Sequence, residues 1–452
     1  MSQMEPRLKI FILCLMTVLA ALVSSSAHAQ VIIRDTEIEN TFKSWITPLL
    51  ESAGMGDESV NLILVQSPEI NAFVAGGANI FIYTGLINKT ETPEELIGVM
   101  AHELGHITGG HLIRGRQAME RASYESILGT VLGIGAAILS GNGEAANAVI
   151  TGSSSLAQRR YLAHSRVQES SADQAALKFM DSAQINPKGL ISFMEKLESE
   201  EFLPAERQSE YVRTHPLTRN RISILENKVE QSGDLSIATP PSWSDEHARM
   251  KAKLLGFIDP GRVQWTYNDS DTSIPARYAR AIAKYRENRV DQALAEIDSL
   301  LALEPDNPYF QELKGQMLVA FGRVAESLPY YRKAVTGAPE ASLIRIDLGK
   351  ALIESRGGDD SLREAIKILE RALIDEPRST RAHRLLATAY GKLGNEPVAK
   401  LHLAEEAVLQ RRLPYAKELV NNALASLDQG SREALQARDL LADIAVLETQ
   451  EE

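Results

Sequence analysis

The sequence predicts an α+β protein that is mostly helical, with a mixed N-terminal domain followed by an all-α solenoid. Two observations predict this fold class: strand-like and helical patterns mix within residues 30–231, whereas the chain from residue 275 onward carries amphipathic helices that recur about every 34 residues. A third is length, because 452 residues are too many for one hydrophobic core. We therefore expect two or three domains.

The first 29 residues have the pattern of a secretory signal peptide. Arg7 and Lys9 precede the apolar run 10–23, and an A-x-A motif ends at Ala29. We expect cleavage after Ala29, so that the mature chain begins at Gln30 in the periplasm. An uncleaved membrane anchor is the alternative, but the apolar run is short for a bilayer. The single cysteine lies in this segment, so the mature chain is expected to contain no disulfide.

Charge and hydropathy narrow the range of partners. The formal net charge of -12 argues against a nucleic-acid-binding surface and against electrostatic docking on anionic lipid. The mature sequence shows no apolar run long enough for a transmembrane span. After the signal segment 1–29 we predict three regions, namely a first domain at 30–231, a connector rich in Pro, Ser, Asp and Thr at 232–274, and a repeat domain at 275–447.

The repeat domain has the tetratricopeptide pattern. Pro305 and Pro339 lie 34 residues apart, and Pro377 follows after 38 because of four extra residues around 356–360. A generic helical bundle would not keep this register. We expect about four repeats over 275–413, then a degenerate helical cap, with a concave surface for peptide or protein partners. Two small positions recur in each unit, one at Ala281, Gly315, Gly349 and Ala387, the other at Ala293, Ser327, Ala365 and Ala399.

One apolar helix in the first domain has clear start and stop signals. Thr92 can cap it, Pro93 suits its first position, and Glu95 would complete a capping box. The paired glycines Gly109-Gly110 should end it.

This helix carries the motif H-E-x-x-H. His102 and His106 are i and i+4, so their imidazoles share one face and can bind one Zn²⁺, with Glu103 beside a metal-bound water. The alternative is a pair of core histidines bonded to backbone. His111 falls one residue before the third histidine position of the longer motif, which is Leu112 here. We expect His111 to lie at the surface, or to contact the metal ligands without binding the metal itself.

A third ligand must come from another segment. Glu169 and Asp173 are i and i+4 on a second apolar-periodic helix, so one carboxylate can bind the metal while the other orients a ligand imidazole. Alone, this spacing is more typical of a solvated helix face.

Four segments together resemble a known family. H-E-L-G-H, S-R-x-x-E-x-x-A-D, R-T-H-P-L-T-R-N-R at 213–221 and N-A-F-V-A-G-G-A-N-I-F-I-Y-T-G-L at 71–86 are similar to the membrane-associated zinc metallopeptidases related to HtpX and the CAAX prenyl protease. The resemblance implies a zincin-like domain and an endopeptidase with one Zn²⁺ per chain. It implies four functional side chains, the ligands His102, His106 and Glu169 and the general base Glu103.

Two further residues have hypothetical roles in this site. Arg221 is a candidate cation for the oxyanion, or else an ordinary surface arginine. The resemblance suggests that His215 can move onto the metal; a fourth protein ligand would displace the water and hold the enzyme inactive. The alternative is a loop histidine at the surface.

Two segments between the motifs are candidates for substrate contact. Residues 71–86 predict a β-hairpin broken at Gly76-Gly77, whose second strand 78–83 would be an edge strand. Its residues Ala78, Asn79 and Ile80 would pair with extended substrate, unless the strand is an ordinary internal one. The small-residue segment 127–150 could be a flap, a partner contact or a buried helix.

Together these features predict an exported zinc endopeptidase that acts on misfolded or stalled envelope proteins. The resemblance implies that its repeats would contact the outer-membrane assembly machinery. The main alternative is a chaperone or scaffold whose zinc is mostly latent. An inner-membrane protease would need spanning helices that the sequence does not show.

Overall fold

The computed structural model describes residues 31–111, 114, 165–217, 219–231 and 239–451. The predicted signal peptide and the segment 127–150 lie outside these described residues. Four strands form one sheet in the N-terminal domain: β1 (Val31–Ile33), β2 (Asn61–Gln66), β3 (Ala72–Ala75) and β4 (Asn79–Tyr83). The helices described in this domain are Thr36–Ser52, Thr84–Lys89, Pro93–Thr108, residues 165–182, Lys188–Glu198, Glu210–Thr214 and Arg219–Gln231.

The sheet has the strand order β1-β2-β4-β3. β3 and β4 form the predicted antiparallel hairpin, and its turn uses Gly76 and Gly77 at φ of 60° and 102°, where side-chain-bearing residues are strained. β4 also pairs in parallel with β2. The edges of the described sheet are therefore β1 and β3.

The prediction that residues 78–83 form an edge strand is therefore wrong, because β4 lies between β2 and β3. The carbonyl of Ala78 already accepts a hydrogen bond from the Asn61 amide at 2.9 Å. Asn79 and Ile80 each have a partner on both sides, in β2 and in β3. Their backbone groups are consequently not available to a substrate strand.

The helix Pro93–Thr108, which we call the HExxH helix, packs against the sheet and against Lys188–Glu198. Gly98 permits the second contact, since a Cβ there would lie 2.8 Å from the Leu190 backbone. Pro93 occupies the first turn as predicted, and the helix ends before Gly110, whose φ is 61°. The predicted capping box is wrong. The Thr92 side chain makes no hydrogen bond to the first turn of the helix, and the Glu95 carboxylate accepts a hydrogen bond from the backbone amide of Glu91.

The predicted connector contains a long helix, Pro241–Ile258, which we call the bridging helix, followed by the short helix Val263–Thr266. Trp45 of the N-terminal domain donates its indole N–H to Glu246 at 2.8 Å, and Arg249 pairs with Glu304 of the repeats at 2.5 Å. The bridging helix is therefore packed against both neighbouring regions.

The C-terminal region is a solenoid of paired helices. They are Ile274–Arg286 and Val290–Leu303, Pro308–Ala320 and Val324–Gly337, Ser342–Glu354 and Gly358–Asp375, Thr380–Lys392 and Glu396–Leu409, then Leu413–Leu424 and Arg432–Glu451. The recurring small residues lie where paired helices touch. A Cβ on Gly315 would meet the Tyr331 ring at 2.9 Å, and one on Gly349 would meet Leu369 at 2.6 Å. Within the described part of the chain, no helix is both long and apolar enough to cross a bilayer.

Candidate metal centre

The HExxH helix presents two imidazoles on one buried face. His102 and His106 lie one turn apart, and their Nε2 atoms are 3.1 Å from each other. Neighbouring positions of the helix are occupied by buried apolar residues such as Val99 and Leu104, which fix the helix against the core. The two ring nitrogens therefore converge on one point.

The helix at residues 165–182, which we call the Glu169 helix, supplies a carboxylate to the same point. Glu169 Oε2 lies 3.3 Å from His102 Nε2, and Glu169 Oε1 lies 3.5 Å from His106 Nε2. The two helices approach closely at Gly105, where a Cβ would be 2.7 Å from the carbonyl oxygen of Ala172. The glycine inside the HExxH motif thus allows Glu169 to reach the histidines.

The spacing of these atoms fits a tetrahedral metal ion. Ligand atoms about 2.0–2.1 Å from a tetrahedral zinc are about 3.3 Å from one another. Here the two Nε2 atoms are 3.1 Å apart, and the two oxygens of Glu169 lie 3.3 Å (Oε2) from His102 Nε2 and 3.5 Å (Oε1) from His106 Nε2. Ligand atoms of His102, His106, Glu169 and His215 all lie within 4.8 Å of one another. A buried set of imidazoles and one carboxylate is a donor set that suits zinc.

Asp173 lies one turn after Glu169 and faces the opposite side of the His102 ring. Its Oδ1 is 3.0 Å from His102 Nδ1, and Arg221 binds the same carboxylate through two hydrogen bonds of 2.8 Å. Burial alone would raise the pKa of Asp173, but the hydrogen bonds from Arg221 and His102 outweigh it and lower the pKa to about 2. The carboxylate is therefore ionised and holds the imidazole in place.

The predicted oxyanion role of Arg221 does not agree with the structure. Its guanidinium is buried and binds Asp173, the Pro216 carbonyl at 2.8 Å, and Glu169 at 3.1 Å. A donor that is held by two carboxylates is not directed at a substrate carbonyl. Arg221 instead positions the two acidic residues of the Glu169 helix.

His215 follows the helix Glu210–Thr214 and points into the same cluster. Its Nδ1 is 3.2 Å from Glu169 Oε2, and its Nε2 is 3.5 Å from Glu103 Oε1. It is buried, so the alternative of a surface loop histidine is wrong. Tyr211 packs against the ring, with centroids 4.8 Å apart. Tyr211 is not among the residues predicted from the sequence, where its only signal is that it lies four residues before His215.

Glu103 lies beside the ligands without joining them. Among the described residues, neither of its oxygens has a hydrogen-bond partner, although both are buried. Burial raises the pKa of this carboxyl. Such an orphaned carboxylate next to a ligand cluster is suited to exchange a proton with a small molecule in the site.

His111 lies behind the ligands, one of the two places expected for it. It is buried, and its Nδ1 is 2.9 Å from Nδ1 of His106. The glycine turn after the HExxH helix folds His111 back onto His106. The third histidine of this segment thus lies one position before the one in the longer motif, and it contacts His106 and not the centre of the cluster.

Comparison with known proteins agrees with this geometry. Residues 34–229 match the family described as Peptidase family M48, and residues 278–342 match a tetratricopeptide repeat. The beta-barrel assembly-enhancing protease of Escherichia coli (strain K12) is 25% identical over 382 residues, which cover 82% of this chain and 75% of the relative. The putative beta-barrel assembly-enhancing protease of Vibrio cholerae is 23% identical over 408 residues, covering 89% and 83%.

A third relative matches a smaller part of the chain. The mitochondrial metalloendopeptidase OMA1 of Schizosaccharomyces pombe is 24% identical over 184 residues, which cover 41% of this chain and 51% of the relative. Fold and site define this chain as a metalloendopeptidase that carries helical repeats. Its peptidase domain is similar to Peptidase family M48 over residues 34–229, and the helical region that follows is similar to a tetratricopeptide repeat over residues 278–342.

Proposed function

We propose that this chain is an exported zinc endopeptidase that removes misfolded or stalled outer-membrane proteins in the periplasm. The observation that carries the proposal is the buried group of His102, His106 and Glu169 with the orphaned Glu103 carboxylate beside it. The predicted signal peptide supports export. The names of the two bacterial relatives support a role in the assembly of β-barrel proteins.

In this proposal, zinc is held by His102, His106 and Glu169. When bound, zinc acidifies water and polarises a carbonyl group. Glu103 accepts the proton of the attacking water and returns it to the leaving nitrogen. Asp173 keeps Nδ1 of His102 protonated, so that Nε2 is the free ligand atom, and Arg221 holds Asp173.

His215 is proposed to restrain this activity. Its ligand atom and those of His102, His106 and Glu169 all lie within 4.8 Å of one another, which supports the proposal, and four protein ligands would leave no open position on a tetrahedral ion. The same observation favours a second candidate function, in which the protease is largely latent and the chain works as a chaperone or scaffold. In both candidates the repeats contact clients or the outer-membrane assembly machinery.

The test compares cleavage of reduced, unfolded casein by zinc-loaded mature protein and its variants. We expect His215→Ala to cleave faster than the unmodified chain, because a coordination position is freed. His215→Ala combined with Glu103→Gln should not cleave. Arg213→Ala is the matched control, since Arg213 is an exposed neighbour in the same helix.

The outcomes separate the two candidates. Cleavage that depends on Glu103 supports the endopeptidase, and its increase in His215→Ala alone supports the restraint. If no variant cleaves although each binds one zinc, the latent chaperone or scaffold becomes the better proposal. Equal cleavage by His215→Ala and Arg213→Ala would refute the specific role of His215.

A further inference from the structure

A cavity of about 660 Å³ lies between the inner face of the solenoid and the beginning of the peptidase domain. The peptidase side is formed by residues 33–36, Ile38 and Gln66, and the bridging helix contributes Lys253, Leu254, Phe257 and Ile258. On the solenoid side the lining residues lie on the first helices of successive repeats, except for Tyr331, which lies on a second helix. Pro308–Ala320 contributes side chains at helical spacing, among them Tyr309, Glu312 and Gln316. The volume lies within the ordinary range for ligand sites, about 300–1,000 Å³.

Glu312 is the unusual group in this cavity. It is partly buried, and among the described residues no hydrogen bond or ion pair reaches its carboxylate. A carboxylate that is removed from water without a cation or a donor is costly. Burial accordingly raises the pKa of Glu312 to about 8, although the charge of Lys253 acts in the opposite direction.

The nearby cations do not compensate this group, because they bind other carboxylates. Lys253, Arg34, Arg381 and Lys350 all line the cavity, and each forms an ion pair with another carboxylate. The pairs are Lys253 with Asp35 at 2.7 Å, Arg34 with Glu39 at 2.7 Å, Arg381 with Asp347, and Lys350 with Glu354 at 3.9 Å. The cavity therefore presents an acidic group that lacks a partner.

Aromatic side chains surround the same space. Tyr285, Tyr309 and Tyr331 line the cavity together with Phe257. Aromatic faces attract cations and cover the alkyl stems of long basic side chains. Arg286, by contrast, is an exposed cation at the lining, so a run of several positive charges would be repelled there.

We propose that this cavity binds an extended segment of a client polypeptide through one lysine or arginine side chain, which pairs with Glu312. This inference rests on the recruiting role proposed above for the repeats, and it gives that role a chemical specificity. The preferred segment contains a single basic residue among neutral ones. Recognition by this site is independent of cleavage, because its residues are not those of the metal centre.

The experiment measures binding of two blocked peptides by fluorescence anisotropy, using the full mature chain with Glu103→Gln so that nothing is cleaved. The probes are a dye-labelled Ala-Leu-Ala-Arg-Ala-Leu-Ala and its twin with citrulline, a neutral analogue of nearly the same shape, in place of arginine. We expect the arginine peptide to bind at least about tenfold more tightly, as a charge-assisted pair with a partly buried carboxylate requires.

These two peptides, and a third with glutamate in place of the arginine, are then measured with three further substitutions. Glu312→Gln should abolish the preference for arginine, and Glu340→Gln, an exposed matched control, should retain it. Glu312→Lys should instead prefer a peptide with a central glutamate, which shows that a variant fold is intact. The affinity of the unmodified cavity for arginine should rise from pH 6 towards pH 8, because more of Glu312 is then ionised, and this rise should vanish in Glu312→Gln.

Three results would overturn the proposal: no binding of either peptide up to millimolar concentration, equal binding of both, or a preference that survives Glu312→Gln. If the chain's own N-terminal ammonium filled the site, neither peptide would bind and Glu312→Gln would lower the melting temperature. Casein cleavage by the Glu103-intact chain is scored separately. Failure of peptide binding with cleavage retained therefore refutes this inference alone.

Discussion

The close contact between the HExxH helix and the Glu169 helix at Gly105 leads to a specific prediction. Gly105 lies inside the H-E-L-G-H motif, and its Cα faces the backbone of the Glu169 helix. A Cβ at this position would be 2.7 Å from the carbonyl oxygen and 2.9 Å from the Cα of Ala172. Because both atoms belong to backbone, Gly105→Ala cannot be accommodated by a side-chain rotation.

The size of the effect follows from this distance. An ordinary contact begins at 3.4 Å, so the Glu169 helix must move away by about 0.7 Å. Glu169 is 3.3 and 3.5 Å from the two histidines, and such a shift would spoil the tetrahedral spacing. Misplacement of about 1 Å in a site costs about a hundredfold in rate. Overpacking destabilises a fold by about 1–3 kcal/mol, partly offset by about 1 kcal/mol of helix propensity for alanine.

We therefore expect Gly105→Ala to bind zinc at least about tenfold more weakly and to unfold at lower urea concentration. Zinc affinity is measured by competition with a chromophoric chelator. The matched control is Gly391→Ala in the helix Thr380–Lys392, where a Cβ would be 3.9 Å from its nearest neighbour, Ala399. That variant should keep its zinc affinity and gain about 0.5–1 kcal/mol of stability. A Gly105→Ala protein with zinc affinity within twofold of the unmodified chain would refute this reasoning.

Three other predictions test the site and the bridging helix. Asp173→Asn should weaken zinc binding about 10–100-fold in the same chelator competition, since it removes the charge that orients His102; unchanged affinity would contradict the orienting role. Lys253→Met leaves the buried Glu37 and the part-buried Asp35 without their cation, and should lower the free energy of urea unfolding by about 3–5 kcal/mol; a loss below about 1 kcal/mol would argue against the ion pair with the buried Glu37. Burial lowers the pKa of His247 to about 4. As the pH falls below about 6.5, the unfolded chain therefore binds a proton at this residue before the folded chain does, and the free energy of unfolding decreases until the pH reaches about 4. This loss, about 3 kcal/mol, should be smaller in His247→Gln when unfolding is followed from pH 7 to pH 4.

The features predicted best from the sequence are those that depend on the spacing of residues within one helix or one repeat. His102 and His106 are i and i+4 on one helix, so any helix over this segment brings their rings together. The repeat followed from positions such as Gly315 and Gly349, where paired helices meet and larger side chains do not fit. Glu169 required the family resemblance, because a carboxylate one turn from another is common on solvated helix faces.

What the sequence did not predict depends on long-range pairing. The 71–86 pattern indicates a hairpin, but which of its strands pairs with the earlier strand 61–66 is decided by packing, and the structure places the second strand inside the sheet. The role of Arg221 was misjudged because its partner Asp173 lies 48 residues earlier. The Pro, Ser, Asp and Thr content of residues 232–274 predicts a connector and not a helix, although Pro241 at the first turn of the bridging helix is itself a helix-start signal.

The bridging helix also limits how the repeats can influence the metal centre. On one face, His247 lies 2.8 Å from the Thr90 hydroxyl, just before the HExxH helix begins. On another, Arg249 and Lys253 reach the first repeats, where Lys253 contacts the Tyr278 ring. Rotation of the solenoid would have to break these contacts, among which the Arg249–Glu304 pair is part-buried. A client held in the proposed Glu312 cavity would therefore be kept at a fixed place relative to the metal centre. If His215 restrains the site as proposed, we expect its relief to come from the loop that carries His215 and not from a swing of the repeats.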